Sequence, residues 1–375
     1  MQSRTDKPAP GLYVHVPFCR QKCPYCDFYS VEDMQLVPGW LDALAREMAL
    51  YREHFTGFDT LYLGGGTPTA MAPGDIEKLL GLVRKHFCLV PGAEVTIEAN
   101  PSDVTPGTAR ELLGMGFNRV SLGVQSFDDG VLRFLNRRHT AAEARQAAGL
   151  LREAGFTNLS MDLMYAVPGQ SMHSWQDTLG QALAFGPEHL SCYQLTVKAG
   201  TPLWRLVSRG GAAAPGPVRE EAFFRRTVDV LHDSGFQQYE LSSFARSPAW
   251  YSAHNRKYWR HIDYLGLGPA AHSLRDRTRW WNCRSVTGYT GALSGGALPR
   301  EGREAITDEQ FALEELFLRF RTREGIALDT LRSCKNTDRV LPGLLSSQVL
   351  EIIGDRVVPT TRGLLVADSL PLLFV

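Results

Sequence analysis

The stretch Leu12-Tyr-Val-His-Val-Pro-Phe-Cys-Arg-Gln-Lys-Cys-Pro-Tyr-Cys-Asp-Phe28 contains three of the seven cysteines of the chain within eight residues. Cys19, Cys23 and Cys26 follow a short apolar run that is typical of a β-strand. Thiolates this close together on one loop can bind a single inorganic centre. The spacing C-x3-C-x2-C offers three thiolates where a closed iron–sulfur cluster usually takes four. A cubane bound here would therefore keep one iron coordination position free.

The same cysteines allow other interpretations. A structural zinc site needs four ligands, so it would have to recruit His15 or a distant residue. Redox use of Cys23-Pro-Tyr-Cys26 would leave Cys19 without a role. Covalent haem attachment through C-x-x-C-H is excluded because Asp27 follows Cys26. Three unrelated buried cysteines are a further interpretation, and the density of thiols on one Pro-bounded loop argues against it.

The composition is that of an ordinary globular protein, with 375 residues, 44% hydrophobic residues and 21% charged residues. The net charge is zero, so the chain as a whole has no electrostatic attraction to nucleic acid or an anionic membrane. The N-terminus has no apolar signal segment, and no stretch reaches ~18 apolar residues. We therefore expect a cytoplasmic protein with no membrane span and no nucleic-acid partner. A reducing cytosol suits cluster-binding thiolates.

Short apolar runs alternate with amphipathic stretches from Leu12 to about Thr196. The predicted strands are Leu12–Val16, Thr60–Leu63, Glu94–Glu98, Arg119–Val124, Asn158–Met164 and His189–Thr196. The predicted helices include Asp75–Phe87, Thr105–Met115, Ala141–Ala154 and Met172–Phe185. This alternation predicts βαβ units and a parallel sheet, in which functional residues lie at the C-terminal ends of the strands. Six such units cannot be distinguished from a full barrel by pattern alone.

The cysteine spacing, with Tyr25 just before the third cysteine, resembles the signature of the radical-SAM superfamily. Further motifs are Tyr13-Val-His-Val-Pro-Phe18, Gly64-Gly-Gly-Thr-Pro-Thr69, Glu98-Ala-Asn-Pro101, Ser121-Leu-Gly-Val-Gln-Ser126 and His254-Asn-Arg-Lys-Tyr-Trp259. Together they resemble the branch that holds oxygen-independent coproporphyrinogen III oxidase and the radical-SAM haem chaperone. The resemblance runs from about Leu12 to the C-terminus. It implies an α/β fold with a partial (β/α)6 barrel, a [4Fe–4S] cluster on Cys19, Cys23 and Cys26, and S-adenosylmethionine on the open iron.

The resemblance also implies which residues contact S-adenosylmethionine. The segment Gly64-Gly65-Gly66-Thr67 matches the part of the family that holds the methionyl amino group, although a glycine triplet alone is most often a tight turn. Polar residues at or near strand ends match the family's other contacts, including those of a second S-adenosylmethionine in the oxidase branch. These residues are Glu98, Gln125, Arg137 and Asp162, and each taken alone would be expected in a salt bridge or a cap. Tyr13 and Tyr25 are further predicted cofactor-binding residues.

Residues 201–300 differ from the rest of the chain. They hold 14 Lys and Arg against 7 Asp and Glu, together with five of the seven tryptophans. Basic and aromatic groups suit a flat anionic ligand. A porphyrin with its propionates fits this description, as does single-stranded nucleic acid. The alternative is that no ligand is involved and the aromatic residues pack in the core beneath a basic surface.

Three histidines in this segment could each bind haem iron, which is a usual role for histidine. They are His254, His261 and His272, and a lone histidine is more often a hydrogen-bonded structural residue. We prefer His254 as the haem ligand because its setting, His-Asn-x-x-Tyr-Trp, is similar to that of the chaperone branch. His272 lies on a Gly-rich loop that could approach a cofactor.

The stretch Gly295-Gly296-Ala-Leu-Pro299 predicts a domain boundary. Residues 1–300 would form the radical-SAM core, with 201–300 as a porphyrin-family extension, and residues 301–375 a small C-terminal module. Helices at Thr307–Arg321 and near Leu328–Lys335, with a β-rich end at Val349–Val366, indicate a winged-helix-like module. Its 9 basic and 12 acidic residues argue against DNA binding and favour a lid or an interaction module.

Two functions remain open at this point. The oxidase would cleave S-adenosylmethionine and decarboxylate a porphyrinogen by radical chemistry, whereas the chaperone binds haem and passes it to an acceptor. Oxidases carry a cysteine two residues after the third, where this chain has Phe28. They also have a long N-terminal extension, where this chain has about ten residues before its first strand. We predict a haem chaperone with haem and an unidentified haem-acceptor protein as partners. The oxidase is the alternative function, and a transcription-linked binding protein is a third. A homodimer is compatible with the sequence.

Overall fold

The computed structural model describes residues 7–55 and 57–375. Residues 1–6, which belong to the N-terminus predicted to hold no signal segment, lie outside the described residues. A sheet of six parallel strands in chain order forms the centre of the molecule. These strands are β1 (Gly11–Val16), β2 (Phe58–Gly65), β3 (Leu89–Ala99), β4 (Arg119–Gln125), β5 (Leu159–Tyr165) and β6 (His189–Gln194). All six were predicted, and β2 and β3 begin earlier than expected.

Helices connect these strands. They are α1 (Val37–Tyr51), α2 (Pro73–His86), α3 (Pro106–Met115), α4 (Asp129–Phe134), α5 (Ala141–Ala154) and α6 (Met172–Ala184). Capping residues determine several of the helix ends. Thr105 and Thr140 each accept a hydrogen bond from the backbone of the first helical turn, and Gly116 and Gly155 end α3 and α5 in the left-handed conformation. The strands between these helices are buried on both sides, as expected for a parallel sheet.

The sheet continues at both edges instead of closing into a barrel. Beyond β6 come α7 (Pro202–Ser208), α8 (Pro217–Asp233) and two short strands, β7 (Gln237–Gln238) and β8 (Ser243–Ala245), of which β8 pairs with β6. After α9 (Ala253–Trp259), β9 (Tyr264–Leu267) pairs parallel with β1. Both edges of the six-stranded unit are thus occupied by later strands, which confirms the predicted open, partial (β/α)6 architecture.

An antiparallel extension follows β9. It consists of β10 (His272–Arg275), β11 (Thr278–Asn282) and β12 (Arg300–Ala305), with α10 (Val286–Ser294) between the last two strands. Strand β12 pairs with β11 and therefore belongs to the main sheet, although it lies across the predicted boundary at residue 300. The assignment of domains stays a prediction.

The C-terminal module packs helices on a small antiparallel sheet. Its helices are α11 (Asp308–Arg319), α12 (Leu328–Arg332), α13 (Thr337–Ser346) and α14 (Thr361–Leu365), and its strands are β13 (Ile326–Ala327), β14 (Leu350–Ile353) and β15 (Arg356–Pro359). A separate apolar core, which includes Leu316, Phe320 and Val357, holds these elements together. The predicted small module is present. No helix in the described part of the chain is long and apolar enough to cross a membrane.

Candidate functional site

The cysteine loop lies between β1 and α1. Its two ends are joined by backbone hydrogen bonds, from Cys19 N to Val31 O at 2.9 Å and from Val31 N to Pro17 O at 2.7 Å. Phe18 is fully buried and meets the ring of Trp40 edge to face. All three thiols of the loop are free, with Cys19 buried and the other two partly exposed. The loop is therefore fixed at its base and presents its sulfurs to the space above the sheet.

That space is a cavity of about 410 Å³ at the C-terminal ends of the parallel strands, hereafter the cysteine cavity. It contains eleven of the thirteen predicted site residues: Cys19, Cys23, Tyr25, Cys26, Gly65, Gly66, Thr67, Glu98, Gln125, Arg137 and Asp162. Their sequence positions span more than 140 residues, and the strand order alone brings them together. Their individual roles stay predictions. Tyr193, at the end of β6, also lines the cavity and was missed, although its position at a strand end was a signal for it.

Two hydrogen bonds connect the cavity wall to the cysteine sulfurs. Arg137 donates from Nη1 to Sγ of Cys23 at 3.4 Å, and Thr67 donates from Oγ1 to Sγ of Cys19 at 3.5 Å. A second bond, from Arg137 Nη2 to Gly123 O at 2.9 Å, fixes the guanidinium. Donors of this kind favour the thiolate form of sulfur, which is the form that binds metals. The donor set therefore fits an anionic, sulfur-ligated cluster.

A zinc site fits this arrangement poorly. In residues 7–55 and 57–375, no three His, Cys, Asp or Glu side chains form a group that could hold a single metal ion. Both ring nitrogens of His15, the nearby candidate for a fourth ligand, are already engaged: Nδ1 lies 3.0 Å from Tyr13 OH and Nε2 lies 2.8 Å from Tyr29 O. A cubane binds each thiolate through a different iron, so its ligands need not converge on one point.

The glycine segment after β2 lies directly against β1. Gly65 has φ +106°, and a Cβ atom there would lie 2.4 Å from Nδ1 of His15. A Cβ atom on Gly66 would lie 2.6 Å from Phe18 O, and Gly66 N donates to Val16 O at 2.8 Å. Glycine is therefore required here by the neighbouring strand and cysteine loop. The sequence suggested that these glycines allow a ligand to approach closely. The structure explains them by their packing against the backbone and side chains of the protein itself.

Glu98 lies at the end of β3 with its carboxylate bound on both oxygens. Tyr62 OH donates to Oε1 at 2.8 Å, and Gly65 N donates to Oε2 at 3.1 Å. Burial, with a smaller contribution from the nearby Asp162 carboxylate, raises the pKa of Glu98 to about 7 against the opposing effect of these donors. The side chain therefore changes charge near neutral pH while lining the cysteine cavity.

The remaining polar residues of the cavity are also held in place. Ser121 Oγ donates to the Asp162 carboxylate at 3.0 Å, and burial raises the pKa of Asp162. Gln125 has φ +64°, an unusual backbone conformation for a residue other than glycine, at an irregularity in the pairing of β4 with β5. Strained backbone of this kind is concentrated at functional sites. It gives Gln125 an orientation that a regular strand would not.

Tyr13 and His254, the other two predicted residues, line a neighbouring side cavity of about 290 Å³ that shares Gly65 and Glu98 with the cysteine cavity. His254 is 1% exposed. Its Nδ1 lies 2.8 Å from Thr60 Oγ1, and its Nε2 lies 2.8 Å from Tyr258 OH. Burial lowers its pKa to about 3. Both nitrogens are thus occupied, so ligation of haem iron by His254 stays a prediction that requires one of these hydrogen bonds to break.

The fold and this cavity define the class of protein. The family model of the radical SAM superfamily matches residues 13–182, which contain most of β1, all of β2 to β5, the three cysteines and most of the cavity wall. Coproporphyrinogen III oxidase (HemN) from Escherichia coli, described as a radical SAM enzyme, superimposes with a TM-score of 0.84. The superposition covers 99% of this chain and 91% of that chain at 24% identity, and it shows a common fold.

Curated relatives narrow the class further. The protein named Heme chaperone HemW from Mycobacterium tuberculosis (strain H37Rv) is 37% identical over 96% of this chain and 93% of its own length. The proteins of the same name from Synechocystis sp. and Bacillus subtilis are 34% and 31% identical, over 88% and 91% of this chain and 82% and 90% of theirs. This chain belongs to the HemW family of the radical SAM superfamily, which confirms the family predicted from the motifs.

Proposed function

We propose that this chain is a haem chaperone that holds a [4Fe–4S] cluster and S-adenosylmethionine, binds haem and delivers it to an acceptor protein. The observation that carries the proposal is the similarity to proteins named Heme chaperone HemW, which extends over 96% of the chain. This similarity covers far more than residues 13–182, the part matched by the superfamily model. It therefore includes nearly all of the aromatic, basic segment at 201–300.

The cysteine cavity supports the cofactor part of the proposal. Cys19, Cys23 and Cys26 are the proposed cluster ligands, and Arg137 and Thr67 donate to two of the three sulfurs. When bound, such a cluster supplies an electron and one open iron position for S-adenosylmethionine. The Glu98 carboxylate would attract the positively charged sulfonium group of that ligand.

Phe28 supports the chaperone over the oxidase. Its side chain is 63% exposed, and it lines both the cysteine cavity and the side cavity. Oxidases carry a cysteine at this position, so their cavity has a thiol where this chain has a phenyl ring. An exposed aromatic ring at the mouth of a cavity suits contact with a flat apolar ligand.

The proposed function also implies partners and a cellular location. We propose a haem-acceptor protein as the partner that receives haem. We also propose a homodimer as the assembly of this chain. A reducing compartment suits cluster-binding thiolates, so we propose a cytoplasmic location.

The test compares haem binding with decarboxylation on one preparation. The protein is reconstituted anaerobically and titrated with ferric haem while the Soret absorbance is followed. In parallel, the reduced protein is incubated with S-adenosylmethionine and coproporphyrinogen III, with the E. coli oxidase as positive control. We expect saturable haem binding and no decarboxylated product. Turnover at a rate comparable to that of the control would refute the chaperone assignment and support the oxidase.

A further inference from the structure

A second surface, on the antiparallel extension of the sheet, is lined by aromatic and ionisable side chains. One face of the β9–β12 extension and helix α11 form the two walls of a groove of about 540 Å³, hereafter the aromatic groove. Its lining consists of Tyr258, His261, Tyr264, His272, Leu274, Arg279, Trp281, Glu304, Glu314, Phe317 and Leu318. This volume is within the range of roughly 300–1,000 Å³ typical of ligand pockets. The groove has no role in the cluster and S-adenosylmethionine site proposed above.

His272 is the available metal ligand in this groove. It is exposed, and its ring nitrogens make no hydrogen bond to any of the described residues. It stacks on Trp281, its cross-strand partner, with ring centroids 5.8 Å apart and planes 23° apart. His261, by contrast, is 8% exposed and lies 3.2 Å from the Glu314 carboxylate. Neutral imidazole with a free nitrogen is a common ligand of haem iron.

The backbone around His272 is held rigidly. A Cβ atom on Gly266 would lie 2.1 Å from His272 O, so this approach requires glycine. Asn282 N donates to Ala271 O at 2.9 Å, and Gly268 N donates to the buried Glu47 carboxylate at 2.9 Å. A ligand site gains affinity when its residues are positioned before binding.

Trp281 packs against the ring of His272 and supports it. A Cβ atom on Gly302, the cross-strand partner of Trp281 on β12, would lie 2.1 Å from the indole ring. The indole therefore lies flat across β12 at the one position without a side chain. The stack of indole on imidazole therefore fixes the plane of the His272 ring.

The aromatic groove is joined to the cysteine loop. Tyr258, Tyr264 and His272 line both the groove and an adjoining cavity of about 360 Å³. Asp27 and Phe28, from the cysteine loop, line that second cavity and the cysteine cavity as well. A ligand in the groove would thus have one edge at the rim of the proposed cluster site.

The charges at the two ends of this surface differ. At the α11 end, Arg279 is paired with both Glu304 and Glu314. At the cysteine-loop end, Arg284 donates to the backbone carbonyl of Asp27 at 3.1 Å and forms no salt bridge within the described residues. An anionic edge of a ligand is therefore attracted to Arg284 and repelled from the glutamates.

We infer that the haem cargo lies in the aromatic groove, with His272 as its axial ligand and its propionates directed to Arg284. The inference rests on the proposed function, since it names where the haem of that proposal is held. It places the ligand at His272 in preference to His254, whose nitrogens are both occupied.

The test is a titration of the full-length reconstituted protein with ferric haem, followed by Soret absorbance. His272→Ala should shift the Soret band and weaken binding about tenfold or more, and added imidazole should restore the band. His173→Ala, an exposed histidine on α6, is the matched control and should behave as the wild type. Iron and sulfide content of each variant reports whether the cysteine site is intact.

A second pair of variants tests the orientation of the ligand. Arg284→Glu should weaken binding of ferric haem about tenfold and leave binding of its dimethyl ester, which has no free propionates, much less affected. Arg209→Glu makes the same charge change at an exposed position and is the control. If the wild type binds haem but His272→Ala and Arg284→Glu match it in spectrum and affinity, this inference is wrong and the proposed function stands. If the wild type itself binds no haem, the proposed function fails.

Discussion

Arg137 and Cys23 are separated by 114 residues, and the structure joins them by a hydrogen bond of 3.4 Å from Nη1 to Sγ. The contact exists because the segment that follows α4 and the loop that follows β1 both lie at the C-terminal ends of the parallel strands. A cationic donor at a ligand sulfur withdraws electron density and makes reduction of a cluster easier. We therefore expect Arg137 to influence the reduction potential of the cluster as well as to line the cavity.

Replacing this arginine should change the redox behaviour of the cluster. We expect Arg137→Gln to reconstitute a cluster whose reduction potential is lower by on the order of 50 mV, because one charge-assisted hydrogen bond is lost. Potentiometric titration followed by electron paramagnetic resonance measures this shift. Arg133→Gln, an exposed residue of α4, is the control. Equal potentials in Arg137→Gln and the wild type would show that the hydrogen bond does not form in the loaded protein.

Glu98 should make S-adenosylmethionine binding depend on pH. Its pKa of about 7 lies above the usual value because of burial, so the carboxyl is neutral below that pH and ionised above it. The sulfonium of S-adenosylmethionine is a permanent cation, and it is attracted to the ionised form. Affinity should therefore fall roughly tenfold when pH is lowered from about 8 to about 6.

Calorimetric titration of the reconstituted protein at several pH values measures this dependence. Glu98→Gln should bind more weakly at high pH and lose most of the pH dependence. Glu53→Gln, at an exposed position after α1, should keep it. An unchanged dependence in Glu98→Gln would assign it to another group, with the neighbouring Asp162 as the first to examine.

Two glycines should respond to alanine in opposite directions. Gly65→Ala places a Cβ atom 2.4 Å from the His15 ring at φ +106°, and it should cost at least about 1 kcal/mol of unfolding free energy. Gly81→Ala adds a methyl group to α2 where nothing lies within 4 Å, and it should stabilise by about 0.5–1 kcal/mol. Chemical denaturation measures both changes. Equal effects of the two substitutions would contradict the packing described for the glycine segment.

His15 provides a further check on the same contact. The double variant Gly65→Ala/His15→Ala should recover part of the loss, because the clash with the ring is removed while the backbone strain remains. A double variant whose loss equals the sum of the two single losses would mean that the residues do not interact.

The strands and their polar ends could be predicted from local sequence. Apolar runs between amphipathic stretches identify β1 to β6, and parallel pairing in chain order then brings Glu98, Gln125 and Asp162 to one cavity. Helix α1 carried an equally clear signal in the spacing of Trp40, Leu44 and Met48, all buried, and it is absent from the predicted elements. Local periodicity is sufficient for such elements because it depends on neighbouring residues alone.

The surroundings of His254 illustrate what local sequence does not contain. Its contact with Tyr258 is an i,i+4 pair on α9 and could have been expected once the helix was known. Its second partner, Thr60, lies on β2 at a separation of 194 residues, and that contact depends on how α9 packs. The availability of the ring nitrogens was therefore decided by tertiary structure. For the same reason, the sequence named His272 as a candidate without showing that its ring is free.

We propose that this chain carries two separate centres, a cluster on three cysteines and a haem site elsewhere. The most direct measurement is anaerobic reconstitution of the triple variant Cys19→Ala/Cys23→Ala/Cys26→Ala, followed by iron and sulfide analysis and a haem titration. A matched variant replaces Cys88, Cys192, Cys283 and Cys334 by alanine or serine. We predict that the triple variant has no cluster and still binds haem, and that the matched variant keeps both. A full cluster in the triple variant, or loss of the cluster in the matched variant, would contradict the account.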